Sequence, residues 1–224
     1  MWHEFDEQEQ YLDALVAEVA ARLDRATALG GPAGFAVSGG RSPIPMFERL
    51  SRADLDWGKV HISLVDERFV APTHPDSNEY IVRRHLLQHR ASTAQFTGLI
   101  TDAHDLHACL AAANRQNHAV ALAILGMGDD GHTASLFPHA RQLLNALDRR
   151  QPSRYAHITP PAAKYERISM TLAAMLQTGG LILAIAGHDK KSIYEQAAGQ
   201  PSTTFPISYL IHQTETPFDV YWHP

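Results

Sequence analysis

Residues 123–137, AILGMGDDGHTASLF, contain the side chains best suited to chemistry. An apolar run ends there at a glycine-rich turn that holds Asp130 and His132. Histidine titrates near neutral pH, and a neighbouring carboxylate can fix its tautomer and raise its basicity. Gly128 and Gly131 keep bulk away from the ring. A solvated or core histidine is the alternative, but this pattern favours His132 as a reactive group at the start of a helix.

The same turn spells G-x-G-x-x-G, the dinucleotide fingerprint. In that interpretation Asp129 and Asp130 would place two negative charges where a pyrophosphate must lie. The fingerprint also requires an acid at the end of a second strand about 20 residues later. Residues 141–151 are instead polar and helix-like. We interpret the match as accidental.

A second polar cluster lies in FAVSGGRSPIPMFERL, residues 35–50. Two glycines permit a tight turn, and Ser42-Pro43 predicts the start of a helix. Backbone N–H groups at such a turn, with Arg41 and two serine hydroxyls, could bind an anion. A strand-to-helix turn without a ligand is equally compatible. A serine nucleophile elbow is disfavoured, because Ala36 replaces its first glycine and no oxyanion motif follows.

A third cluster, VDERFV, follows an apolar run at 61–65. Asp66 and Arg68 at a strand end would face either the crevice or the solvent, where they could neutralise each other. All three clusters fall at predicted strand ends, and α/β sheets bind ligands outside the carboxyl ends of their strands. We therefore predict that the three clusters meet in one crevice.

Apolar strands alternate with helical patterns along the chain. The sequence predicts helices at 8–29, from 42 onwards, at 77–90, at 103–116 and after the turn at 126–132. It predicts strands at 35–37, 61–65, 96–99, 119–126, 167–171, 181–187 and 218–222, with further helical stretches between 171 and 181 and after 187. This pattern predicts one α/β domain over 1–224, a mostly parallel Rossmann-like sheet with helices on both faces. FDVYW at 218–222 alternates apolar and polar residues, which predicts an antiparallel edge strand with one wet face.

The composition of the 224-residue chain is that of a globular protein, with 45% hydrophobic and 19% charged residues. A net charge of −5 argues against a nucleic-acid surface. Cys109, the single cysteine, predicts a buried thiol and no internal disulfide. The chain shows no signal segment or membrane-length apolar run, so we expect a cytoplasmic protein without membrane contact. The 14 histidines form no metal-ligand motif, and we predict no metal.

Six stretches resemble the 6-phosphogluconolactonase family. They are SGGRSP (38–43), VDERFV (65–70), SNEYIVRRHLL (77–87), GMGDDGHTASLFP (126–138), RISMTL (167–172) and GHDKK (187–191). They lie in the family's order and span most of the chain. Related glucosamine-6-phosphate deaminases and isomerases share the DGH turn but carry N-E-P after it and D-E-Y instead of D-E-R. This chain has Leu136-Phe137-Pro138 and Asp66-Glu67-Arg68, which favours the lactonase.

The resemblance implies hydrolysis of 6-phospho-D-glucono-1,5-lactone to 6-phosphogluconate in the oxidative pentose phosphate pathway, without a cofactor. It implies that His132 is the general base for water and that Asp130 orients it. Arg68 or the N–H groups of a glycine turn would stabilise the oxyanion, and Asp66 would bind sugar hydroxyls or hold Arg68. The phosphate-binding residues that it implies are Ser38, Gly39, Gly40, Arg41, Ser42, Arg167 and Lys190.

Two other functions remain open at this point. A sugar-phosphate isomerase or deaminase of the same superfamily would act on an amino-sugar phosphate. A non-catalytic sugar-phosphate-binding protein would bind without turnover; such regulators usually carry a helix-turn-helix appendage, and we expect none in these 224 residues. The expected partner is in each case a small sugar phosphate, and the expected assembly is a monomer or a small homo-oligomer.

Overall fold

The apolar runs of the sequence become the strands of two sheets. The computed structural model describes residues 1–28 and 30–224. The described strands are β1 (Trp2–Glu4), β2 (Ala33–Val37), β3 (Val60–Leu64), β4 (Asp66–Arg68), β5 (Gln95–Thr97), β6 (Val120–Leu125), β7 (Tyr155–Ile158), β8 (Arg167–Met170), β9 (Leu181–Ala186) and β10 (Phe218–His223). The described α-helices are α1 (Gln8–Ala28), α2 (Ile44–Leu50), α3 (Asn78–His85), α4 (Leu106–Arg115), α5 (Leu143–Ala146), α6 (Leu172–Leu176), α7 (His188–Ala197) and α8 (Ser208–Ile211).

The larger sheet has seven parallel strands in the order β1-β10-β9-β6-β2-β3-β5. β2 lies inside the sheet, between β6 and β3, and all five of its residues are buried. Phe35 lies between Ile62 of β3 and Leu122 of β6. Strands without a polar face must be covered on both sides, and helices flank this sheet. The predicted Rossmann-like α/β fold is confirmed.

Residues 218–222 form a strand as predicted, but the prediction of an antiparallel edge strand is wrong. β10 is neither antiparallel nor at the edge. It lies between β9 and the N-terminal strand β1 and is parallel to both. Its polar position Asp219 is only partly exposed and accepts a hydrogen bond from Arg22 Nη2 at 2.6 Å. The alternating pattern therefore reflects an ion pair with α1 rather than a wet sheet face.

The smaller sheet is antiparallel, in the order β4-β8-β7. Val65 alone separates β3 from β4, and its backbone joins the two sheets. Its N–H donates to Val37 of the large sheet at 3.0 Å, and its carbonyl accepts from Met170 of the small sheet at 2.7 Å. The chain therefore enters the second sheet at Asp66.

Helix starts and ends follow the sequence signals in most places. Ser77 caps α3, as predicted, by accepting from the Tyr80 N–H at 3.2 Å. Gly30 follows α1 with a φ of +90°, while Leu29 of the predicted helix lies outside the described residues. α2 begins at Ile44, and the predicted cap Ser42 does not cap it.

The predicted helix after the glycine turn does not form at His132. Thr133 and Leu136 pair in an isolated bridge, and Ala134 has a φ of +49°, which a right-handed helix excludes. The next helix is α5, which begins at Leu143. His132 therefore lies in a loop, which also removes the helix that the dinucleotide interpretation requires.

The buried core includes Cys109, as predicted, and its thiol donates to the carbonyl of Asp102 at 3.1 Å. In the chain as described, no helix is both long enough and apolar enough to cross a membrane.

Candidate active site

The three polar clusters surround one cavity of about 570 Å³. It lies at the carboxyl ends of β2, β6 and β9, where parallel sheets place their crevices. Nine of the predicted site residues line it: Ser38, Gly39, Arg41, Ser42, Asp66, Arg68, His132, Arg167 and Lys190. Gly40 and Asp130 are not among the residues that line it.

The His132 ring is held by Asp130 through a local contact. Nδ1 lies 2.5 Å from Oδ1 of Asp130, which also accepts the His132 backbone N–H at 3.1 Å. Burial opposes ionisation of Asp130, but these bonds outweigh it and hold the pKa of its carboxyl below the usual value. An ionised Asp130 only accepts, so Nδ1 carries the proton and Nε2 keeps its lone pair.

The contact between His132 and Asp130 requires glycine at position 128, because both side chains lie close to the Gly128 backbone. A Cβ at this position would lie 2.1 Å from both Cε1 and Nδ1 of His132 and 2.7 Å from Oδ1 of Asp130. The Gly128 N–H donates to the His132 carbonyl at 2.9 Å and closes the turn. On its other side the ring contacts Phe137, with 4.3 Å between ring centroids. The orientation of the imidazole is thus fixed from three directions.

The turn after β2 offers unpaired backbone donors to the cavity. In the described part of the chain, no group accepts the N–H groups of residues 39–42. Gly39 lies against Asn78, whose Oδ1 would be 2.2 Å from a Cβ, and Gly40 has a φ of +91°. Successive free N–H groups at such a turn form an anion-binding concavity.

Arg68 and Arg167 face each other across the β4-β8 pair. Directly opposed residues project from the same face, so two guanidinium groups meet at the cavity wall. Burial lowers the pKa of Arg167, and Arg68 adds to this effect, while Asp66 opposes it. Like charges in this register repel each other. An anion between them removes that repulsion.

Lys190, in the first turn of α7, is already bonded to the turn that carries His132. Its Nζ donates to the Met127 carbonyl at 2.6 Å and lies 2.6 Å from Oδ1 of Asp129. Lys190 thus lines the cavity and at the same time holds the glycine-rich turn against α7.

Asp66 is buried and does not pair with Arg68. Its Oδ2 accepts from the Ser135 hydroxyl at 2.5 Å, and its Oδ1 accepts from Asn78 Nδ2 at 3.4 Å. Among the ion pairs of residues 1–28 and 30–224, none joins Asp66 to Arg68. Surface neutralisation of the two is therefore not the arrangement that forms. The Arg68 Nη1 donates instead to the Asp76 carbonyl at 2.6 Å.

Glu67 connects this wall to α3. Its carboxylate accepts from the backbone N–H groups of Arg68, Asn78 and Glu79, each at 2.7 Å, and from the Ser77 hydroxyl at 3.0 Å. Burial raises the pKa of Glu67 to about 7, although these four donors act in the opposite direction. Glu67 therefore holds β4 and the start of α3 together beneath the cavity.

Comparison with known proteins identifies the family of this chain. Residues 6–222 match the family described as glucosamine-6-phosphate isomerases/6-phosphogluconolactonase. The chain belongs to this family.

The relatives resemble the chain over nearly its full length. A 6-phosphogluconolactonase of Neisseria meningitidis is 41% identical over 217 residues, which cover 95% of this chain and 94% of the relative. The crystal structure of a putative 6-phosphogluconolactonase from Neisseria gonorrhoeae has 40% sequence identity to this chain and a TM-score of 0.96. The match covers 100% of this chain and 99% of that protein's chain. A 6-phosphogluconolactonase structure from Shewanella baltica is 34% identical, with coverages of 100% and 97% and a TM-score of 0.93. The resemblance predicted from the six motifs is confirmed.

Several cavity residues of this family member escaped the sequence analysis. Ser135, Asn78 and Phe137 all lie within the motifs but were not assigned to the site. Ser135 could not be placed, because the segment after His132 was predicted as a helix. The Ser38 hydroxyl donates to the Ile124 carbonyl at 3.1 Å rather than to a histidine. This bond further disfavours Ser38 as a nucleophile.

Two pairs of histidines have helical spacing in the sequence, His85 with His89 and His104 with His107, and in the described residues neither pair belongs to a metal site. His85 bonds to Glu48 at 2.9 Å, and His104 and His107 are exposed. In the described residues, no group of three or more His, Cys, Asp or Glu side chains could hold a metal ion. The absence of a metal from the reaction stays a prediction.

Proposed function

We propose that the protein hydrolyses 6-phospho-D-glucono-1,5-lactone to 6-phosphogluconate. The observation that carries the proposal is that one cavity is lined both by His132 and by Gly39, Arg41 and Ser42, whose backbone N–H groups have no acceptor in the described residues. The names of the relatives support the same substrate. The resemblance assigns this step to the oxidative pentose phosphate pathway, and a cytoplasmic location and the oligomeric state stay predictions.

In the proposed mechanism His132 accepts a proton from water through Nε2. The water oxygen forms a bond to the lactone carbonyl carbon, and the carbonyl oxygen takes the negative charge. When the tetrahedral intermediate collapses, the bond to the ring oxygen breaks and that oxygen receives the proton from His132. Asp130 keeps Nδ1 protonated throughout and stabilises the imidazolium.

The substrate phosphate is proposed to lie between the turn at 39–42 and the arginine pair. The N–H groups of the turn donate to phosphate oxygens, and Arg41 and Ser42 extend this side. Arg68 and Arg167 neutralise the opposite side. Asp66 lies near this wall, fixed by Ser135 and Asn78, and can accept from a sugar hydroxyl. Lys190 contributes positive charge while it holds the turn.

The test is a coupled assay of lactone disappearance after subtraction of the spontaneous rate. We expect the wild-type protein to accelerate hydrolysis and His132→Ala to lose about 10²–10⁴-fold in kcat. Asp130→Asn should lose about 10-fold or more, because its amide can favour the wrong tautomer. His107→Ala, at an exposed histidine of α4, is the matched control.

Two results would overturn the proposal. If His132→Ala hydrolyses the lactone at the wild-type rate, His132 is not the base. If the wild-type protein leaves the lactone at its spontaneous rate but converts an amino-sugar phosphate, the isomerase or deaminase alternative replaces it.

A further inference from the structure

The two arginines at the cavity wall are each held by a loop carbonyl. Arg68 Nη1 donates to the carbonyl of Asp76 at 2.6 Å, and Arg167 Nη1 donates to the carbonyl of Tyr165 at 2.5 Å. Asp76 lies in the loop that follows β4, and Tyr165 lies in the loop that precedes β8. Each guanidinium position therefore depends on where a loop outside the cavity lies.

These two loops are joined to each other by side chains. The Tyr165 hydroxyl donates to Oδ2 of Asp76 at 3.1 Å. His74 reinforces the contact, because its ring meets the Tyr165 ring edge-on at 5.7 Å and its Nδ1 accepts the Asp76 N–H at 3.0 Å. Lys164 lies over the same tyrosine ring at 4.7 Å. The connection from Arg68 through Asp76 and Tyr165 to Arg167 is continuous.

We propose that the Tyr165–Asp76 contact is a clasp that positions Arg68 and Arg167 and thereby sets the preference of the site for phosphorylated substrates. The inference rests on the proposed function, in which the two arginines bind the substrate phosphate. Tyr165 and Asp76 are not among the residues that line the cavity, so they are positioning residues rather than catalytic ones.

The clasp has a physical reason, because two opposed cations repel each other and move apart unless they are held. Arginine side chains also have many rotamers, and ordering them when a ligand binds costs free energy. Two joined loops, each holding one guanidinium, order both arginines before the phosphate arrives. This arrangement strengthens phosphate binding without touching the ligand.

The clasp can be removed without unfolding the protein. The Asp76 side chain is 56% exposed, and hydrogen bonds at such sites contribute little to folding. Tyr165→Phe deletes one hydroxyl and keeps the ring that His74 and Lys164 contact. Asp76→Ala deletes the acceptor, whereas Asp76→Asn keeps an acceptor oxygen and is expected to retain the clasp. Tyr80→Phe, which removes a hydroxyl that accepts an exposed hydrogen bond from Arg84 within α3, is the matched control.

The experiment compares the phosphorylated lactone, the unphosphorylated δ-lactone and inorganic phosphate. We expect Tyr165→Phe and Asp76→Ala to raise KM for the phosphorylated lactone, and Kd for inorganic phosphate by calorimetry, about 3–10-fold. Their kcat and their turnover of the unphosphorylated lactone should stay at wild-type values. Asp76→Asn and Tyr80→Phe should match the wild type. Arg167→Ala should bind phosphate more weakly than any of them.

The outcomes separate the clasp from the function on which it rests. If Arg167→Ala loses phosphate affinity but Tyr165→Phe and Asp76→Ala keep it, the clasp is overturned and the proposed function stands. If the clasp variants lose kcat on both lactones equally, the contact is merely structural and the inference also fails. If Arg167→Ala keeps wild-type phosphate affinity, the assignment of the phosphate to the arginine pair fails, and the clasp fails with it.

Discussion

At the scale of single residues, the reactive geometry is set within five positions of the chain. Asp130 contacts His132 two residues later, and Gly128 closes the turn by donating to the His132 carbonyl. The imidazole therefore needs no distant element to find its acceptor. It needs only that residue 128 has no side chain, because a Cβ there would overlap the His132 ring.

Gly128→Ala should abolish most of the activity while the fold persists. The added methyl would lie 2.1 Å from the His132 ring and must displace it, and a displacement of about 1 Å can cost about 100-fold in rate. We expect a loss of this size in kcat, measured with the phosphorylated lactone. Gly31→Ala, where a Cβ meets nothing within 4 Å, is the control and should keep wild-type activity. Wild-type kcat in Gly128→Ala would show that the ring is not held as described.

At the scale of elements, the cavity wall depends on how β4 meets α3. β4 has three residues, and a strand of that length is too short to hold its own register. Glu67, in its middle, compensates by accepting four hydrogen bonds, three of them from the backbone of β4 and α3. One buried carboxylate thus aligns Asp66, Arg68 and the start of a helix.

Glu67→Gln should destabilise the protein by about 2–4 kcal/mol, because an amide cannot accept all four bonds and leaves buried donors unpaired. The wild-type contribution of Glu67 has a pH signature. Burial raises the folded pKa of Glu67 from its ordinary value of 4.5 to about 7, so the folded protein binds this proton more tightly than the unfolded chain does. The proton-linked part of the stability is full below about pH 4.5 and is lost as the pH rises through 7.

Urea unfolding between pH 4.5 and 8 measures both effects of Glu67→Gln. The variant should lack this pH-dependent part of the free energy of unfolding, and Glu195→Gln on the exposed face of α7 should keep it. Identical pH profiles for the wild type and Glu67→Gln would contradict the role given to burial.

At the scale of the whole molecule, contacts far from the cavity join the two ends of the chain and bring two histidines together. The first and last strands, β1 and β10, pair in parallel, and Lys191 lies 4.3 Å from the Trp222 ring while it binds Glu4 of β1. Away from the cavity, the ring of His61 in β3 packs against the ring of His118 before β6, with 4.0 Å between centroids. This pair has no assigned part in the reaction but affects stability.

His118→Phe should raise the stability at pH 5 relative to that at pH 8, compared with the wild type. Burial lowers the pKa of His118 to about 4, and His61 and Arg154 add to this effect. The unfolded chain therefore binds a proton first, so stability is full above about pH 6.5 and falls towards pH 4. Because the ring is only partly buried, we expect an effect of about 1 kcal/mol, well below that of a dry interior.

The measurement is the free energy of unfolding of His118→Phe at pH 5 and pH 8, with His104→Phe on the exposed surface as control. Glu67 acts in the opposite direction over nearly the same interval, so the wild-type profile should be flatter than that of either variant. An unchanged difference between pH 5 and pH 8 in His118→Phe would refute this role of the pair.

By itself the sequence determined the fold class, the reactive turn and the three clusters that would meet. These are local or additive properties, because apolar periodicity predicts strands and helices, and parallel strands must end at one edge. The Ser77 cap of α3 and the burial of Cys109 were predictable for the same reason.

Only the tertiary structure decided which polar groups pair. Nothing local to Asp66, Arg68 or Arg167 indicates that the chain changes sheets at Val65, opposes the two arginines and binds Asp66 to Ser135. It likewise decided that His132 lies in a loop and that β10 is flanked by β1, because a three-residue strand carries no periodicity. Pairings between residues far apart in the sequence depend on the packing of the whole chain, so a local sequence pattern does not predict them.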